Sequence, residues 1–122
     1  MAAVVEQAEG PVSVVVTDDH GEIVASLRMD GAPLDTHLNA QRKAYTAVRS
    51  GASTTRRLAE AAGSSPTELA SFDPFYSLFL GGVAFGEGGR SIGAVGVSGL
   101  PGEVDEELAI AGIRAAGFEP AG

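Results

Sequence analysis

The chain has 122 residues, a formal net charge of -8 and a pI near 4.5. A chain of this length forms one domain, here 1–122, and buries about two-thirds of its unfolded surface. The acidic field repels phosphate backbones and anionic bilayers, so neither nucleic acid nor a membrane surface is an expected partner. There is no cysteine, which excludes disulfides, thiolate catalysis and thiolate metal sites. No apolar run reaches ~18 residues and no segment reads as a secretory leader, so the cytoplasm is the expected compartment.

Residues 2–9 are expected to form a short helix, stopped by Gly10 and Pro11. Two turns are marginal in isolation, so this helix must lean on another element. The run V-S-V-V-V-T at 12–17 reads as a strand buried on most sides. Asp18-Asp19-His20-Gly21 has the chemistry of a tight hairpin turn, and 22–29 is the return strand. Its alternation sends Ile23, Ala25, Leu27 and Met29 to one side.

After the turn at 30–33 a long helix is expected, capped by Asp35 or Thr36 and ended by Gly51. Ala40, Ala44, Ala47 and Val48 give it a small-residue face that lets another element approach closely. Ser53 or Thr54 caps a second short helix, and 67–71 reads as a further helical turn. An aromatic segment follows, with Phe75, Tyr76 and Phe79, broken by Gly81-Gly82. A second hairpin covers 83–98, turning at 86–89. Glycines at 93 and 96 weaken its last strand, which suggests that another backbone or a ligand passes close by. The closing helix runs over 103–116. Its first turn holds Glu103, Asp105, Glu106 and Glu107, suited to the helix dipole, and Val104, Leu108 and Ala111 mark its buried face. The reading is α+β: an antiparallel sheet of two hairpins flanked by helices.

Candidate chemistry concentrates between Arg28 and Val48. Lys43 is the sole lysine, set mid-helix among alanines. Buried, it would have a lowered pKa and would serve as a base or bind an anion; a lysine snorkelling from the helix is the competing reading. His37 lies in the first helical turn, where the dipole disfavours the charged imidazole; a proton-transfer or iron-ligand role competes with that of an ordinary helix histidine. His20, among turn aspartates, reads as a solvated residue. The G-E-G-G at 86–89 has no helix behind it, which excludes a dinucleotide or P-loop fingerprint. The Gly81-Gly82 amides would receive an anion as a backbone nest, or simply form a bend. No paired metal-ligand motif occurs, so no metal site is assigned.

Several segments together carry a family likeness: V-S-V-V-V-T-D-D-H-G at 12–21, R-M-D-G-A at 28–32, A-Q-R-K-A-Y-T-A at 40–47, G-G-V at 81–83, I-G-A-V-G-V-S-G at 92–99 and P-x-x-x-D-E at 101–106. In order, and over nearly the whole chain, they resemble the GlcG/HbpS family of haem-binding-like proteins. The resemblance implies a profilin-like α+β domain and a homo-oligomer, from dimer to octamer. It also implies either of two functions. One is a small-ligand-binding protein, with haem as the candidate cofactor and Phe75 and Tyr76 lining a flat apolar pocket. The other is a cofactor-independent, tautomerase-like enzyme on a small oxo- or hydroxy-acid or an oxidised aromatic compound. In that reading Arg28 and Lys43 hold a carboxylate, Gly81 and Gly82 stabilise an enolate and His37 shuttles the proton. The chain departs from the family in its short N-terminal helix, which carries no histidine, leaving His37 as the substitute haem ligand.

Overall fold

In a computed structural model of the protein, residues 1–121 are described. The elements in chain order are α1 (Ala2–Gln7), β1 (Ser13–Asp18), β2 (Ile23–Arg28), α2 (Asp35–Arg49), α3 (Thr55–Ala62), α4 (Pro66–Ser71), β3 (Gly82–Glu87), β4 (Arg90–Ser98), α5 (Gly102–Ala115) and β5 (Glu119–Pro120). The strands form one antiparallel sheet in the order β2-β1-β4-β3-β5. The two expected hairpins are β1–β2 and β3–β4. The fifth strand, two residues pairing with Phe85 and Gly86, was not expected from the sequence; a pair of residues carries no periodicity to read.

Alternation along the strands divides the sheet into two unlike faces. Val12, Val14, Val83, Val95 and Val97 pack with Leu108, Ala109 and Ile113 of α5 and Val4 of α1. That contact is what the short N-terminal helix leans on, and it ends at Gln7, earlier than expected. The other face is nearly all small residues, and α2 lies directly on it. A Cβ at Gly96 would fall 1.9 Å from the Ala40 carbonyl oxygen, and one at Gly82 would fall 2.2 Å from that of Lys43. Another backbone does pass close to the second hairpin, and it is the alanine face of α2, with Ala40, Ala44 and Ala47 fully buried.

Local chemistry sets the element ends. Asp18 Oδ1 accepts the N–H groups of His20 at 2.9 Å and Glu22 at 3.0 Å, closing the first hairpin turn. The Thr54 hydroxyl caps α3 by accepting the Arg57 N–H, and Ser65 caps α4 by accepting that of Glu68. The α2 start differs from expectation. Its N-cap is Leu34, without a side-chain cap. Thr36 instead donates to the Pro33 carbonyl at 2.6 Å and pairs with the Ser13 hydroxyl at 2.8 Å, pinning the helix to β1. On β2, an extra residue opposite β1 shifts the register between Val16 and Thr17. The simple alternation expected from Ile23 to Met29 is therefore broken.

Candidate functional site

Lys43 lies on the sheet side of α2 and is only 4 % exposed. Its side chain passes the end of β3 through a notch that exists because position 81 has no Cβ; one built there would lie 3.0 Å from both Cδ and Nζ of Lys43. Gly81 has φ +130°, a conformation that further favours glycine. Beyond the notch, Nζ donates to the Val97 carbonyl at 2.9 Å and to Asp105 Oδ2 at 3.2 Å. Asp105 is 1 % exposed, and its Oδ1 accepts the Leu100 N–H at 3.1 Å. The result is a buried ion pair joining helices on opposite faces of the sheet.

Burial acts on both partners. It lowers the Lys43 pKa, against the opposing effect of the Asp105 charge. It raises the Asp105 pKa, against Lys43 and the backbone donors. Both directions follow from removing charge from water, and the pairing offsets only part of that cost. The sequence placed Asp105 with the dipole-facing acids of the last helix. In the structure Asp105 turns inward, with Leu108, Ala109 and Ile113, while Val104, expected to be buried, is 38 % exposed. The available signal was its place in the P-x-x-x-D-E segment.

The pair borders a cleft of about 650 Å³ between residues 78–80, 98–103 and the α2 residues Asn39 and Lys43. Apolar walls and a few polar groups give it the composition of a small-molecule site. Of the sequence candidates, Lys43 and Gly81 meet here. Gly82 adjoins them, but its N–H donates to Thr55 Oγ1 at 3.3 Å, so that amide is not free for an enolate. Arg28 is elsewhere, on the edge strand β2, where Nη1 donates to the Ala32 carbonyl at 2.9 Å. His37 is half-buried on α2, six residues from Lys43 and so about 120° round the helix from it. Arg28 and His37 therefore do not converge with Lys43.

Phe75 and Tyr76 are also placed away from this cleft. The Arg42 guanidinium donates to the carbonyls of Pro74, Phe75 and Tyr76 at 2.9–3.0 Å. The rings of Phe75 and Tyr76 pack edge-on to Tyr45, at 4.9 and 6.0 Å between centroids. The Tyr45 hydroxyl donates to Asp73 at 2.6 Å, which holds that carboxyl below its usual range, helped by the Phe75 N–H. The segment is thus strapped to α2, and its later residues, Leu78, Phe79 and Leu80, reach the cleft. Among the described residues, no group of three or more His, Asp or Glu side chains is placed to hold a metal ion, and no helix is long and apolar enough to cross a membrane.

An antiparallel sheet clad by helices, with a ligand-sized cleft at one end, defines a small α+β binding-domain architecture. The model of the HbpS-like family, described as haem-degrading proteins, matches residues 1–114, and the chain belongs to that family. Among solved structures it is similar to a double mutant of Streptomyces reticuli HbpS, with 36 % identity over 93 % of this chain and 79 % of that one, at a TM-score of 0.82. It is similar to PduOC, solved as a complex with haem, with 31 % identity over 99 % and 91 % of the two chains and a TM-score of 0.88. The Klebsiella pneumoniae protein ORFY matches at 30 % identity over 90 % and 79 %, with a TM-score of 0.82. No curated protein sequence matches.

Proposed function

We propose that this chain is a small-ligand-binding protein whose ligand is haem, held between copies of a homo-oligomer. The likeness to PduOC, solved with haem, supports the ligand. The observation that carries the reading to a place is on α2. Leu34, His37 and Leu38 have i, i+3, i+4 spacing and so share one stripe of the helix. The two leucines are 82 % and 49 % exposed around a half-buried imidazole. A nitrogen donor set in outward-facing apolar surface suits an iron macrocycle. Haem would supply redox-active iron there. The chain's own part is to offer His37 to the metal, cover one porphyrin face with Leu34 and Leu38, and offer Arg28 to a propionate. One copy presents only one such face, so a second copy closes the site.

A Soret titration tests this, with sedimentation run on the same samples. Saturable binding with a shifted Soret band is expected for the native chain. His37→Ala is expected to weaken binding at least tenfold and to change the band. An identical band in His37→Ala removes the histidine ligation, and no saturable binding removes the haem reading.

A second reading, a cofactor-independent proton-transfer enzyme on a small oxo- or hydroxy-acid, is favoured by one observation: Lys43, its pKa lowered by burial, stands beside a cleft. Solvent-deuterium exchange into oxo-acids would be lost in Lys43→Met. Equal rates in the native chain and the variant would remove it.

A further inference from the structure

The cleft beside Lys43 and Asp105 holds hydrogen-bonding groups that the fold itself leaves unused. The Ser98 hydroxyl, at the end of β4, belongs to a residue only 6 % exposed, yet it has no hydrogen-bond partner among the described residues. That hydroxyl opens into the cleft, so a ligand entering there meets a donor that no protein group occupies. The Asn39 amide lines the same cleft from α2, half-buried and equally without a side-chain partner.

Lys43 Nζ uses two of its three N–H bonds, on Val97 and Asp105. The helix α5 begins at Gly102 behind Pro101 with no side-chain cap, so the N–H groups of Gly102 and Glu103, both lining the cleft, lack helical partners. The two carboxylates at the cleft are engaged or exposed. Asp105 is held by Lys43 and the Leu100 N–H, and Glu103 is exposed at the rim. The unused donors gather at the positive end of a 14-residue helix. Leu78, Phe79 and Leu100 supply apolar wall beside them.

We infer that this cleft is a binding site for a small carboxylate with an apolar body. The carboxylate lies on Ser98, Asn39 and the Gly102 and Glu103 amides, and the body lies against Leu78, Phe79 and Leu100. Lys43 contributes its remaining N–H from the floor. The site is separate from the haem stripe on α2. It shares its cleft with the proton-transfer reading but does not need that chemistry, because it concerns binding alone.

The test is an NMR titration of the full chain with benzoate and hexanoate, against benzamide and hexanamide as neutral counterparts. Saturable shifts are expected at the Gly99, Gly102 and Glu103 amides, with the neutral analogues at least tenfold weaker. Ser98→Ala and Asn39→Ala, both conservative truncations at the cleft surface, should each weaken benzoate about tenfold while leaving the circular dichroism unchanged. Ser98→Ala should leave the haem Soret titration unaltered. The inference is overturned if neither carboxylate saturates those amides, if the amides bind equally well, or if both variants keep native affinity. It is also overturned if Ser98→Ala abolishes haem binding, since the carboxylate recognised would then be a haem propionate.

Discussion

Lys43 Nζ and Asp105 Oδ2 stand 3.2 Å apart across the end of the sheet, the one charged contact that ties α2 to α5 among the described residues. Replacing one partner leaves the other charge buried, which costs about 3–5 kcal/mol. Lys43→Met should lose that much stability at pH 7. The sign of its pH dependence is distinctive. Asp105 already has a raised pKa through burial, and without Lys43 it rises further. The folded variant then binds a proton that the unfolded chain does not, so its stability climbs as pH falls from neutral through the Asp105 pKa. Urea unfolding at pH 7 and pH 5 checks this. A variant that is no less stable than the native chain at pH 7, or that loses stability on mild acidification, would refute it.

Arg42 fastens the aromatic strap to α2 through three backbone carbonyls. Arg42→Ala should cost about 2 kcal/mol, the scale for hydrogen bonds to a charged group. Arg42→Lys should recover little of it, because an ammonium cannot reproduce the planar fork. The local readout is the Ser77 amide, which donates to Thr46 Oγ1 at 2.8 Å. Its hydrogen exchange should speed up in both variants relative to the core strands. Native protection at Ser77 in Arg42→Ala would show that the strap is held by packing alone.

Gly96 tests how α2 meets the sheet. Gly96→Ala puts a methyl into the Ala40 carbonyl, where backbone must move, so a loss of about 3 kcal/mol or more is expected. Gly88→Ala is the control. It has φ +59° but open space around its Cβ position, so its cost is confined to backbone conformation, about 1 kcal/mol. Thermal unfolding of the two variants should therefore separate clearly. Equal losses would mean that the close approach of α2 is not limiting.

Much of this architecture can be read from residue order. The valine run, the Asp-rich turn and the alanine stripe each had one physical reading, and each is realised. The glycines of β4 announced a close neighbour, although a ligand was as plausible as the α2 backbone until the helix was placed. Lys43 stood out as the sole lysine, set mid-helix among alanines, with snorkelling to solvent competing with burial until the helix was placed. Asp105 did not stand out, since acids in a first helical turn already have a reason to be there. Only the turn of α5 about its axis separates the inward Asp105 from Glu103, and no spacing rule fixes that rotation. Phe75 and Tyr76 look like pocket lining in sequence because aromatics serve both roles. In the structure Arg42, 32–34 residues away, holds their backbone, and both rings pack on Tyr45.

Asp73 gives the protein a second, opposite pH dependence. The Tyr45 hydroxyl and then the Phe75 N–H stabilise its carboxylate, so its folded pKa is lowered from 3.8. A lowered carboxyl pKa contributes stability that is present above the unfolded value and is lost as pH falls through the folded one. Asp73→Asn should therefore be less stable than the native chain at pH 7. The gap should begin to narrow near pH 3.8, where the unfolded carboxyl takes up its proton, and close as pH falls through the lower folded value. Urea unfolding at pH 7 and pH 3 measures both gaps. Because Asp73 is screened by solvent, the difference at pH 7 should be small beside that of Lys43→Met. A gap that stays constant between pH 7 and pH 3 would show that the Asn variant fails through lost packing of Tyr45, and not through the carboxylate.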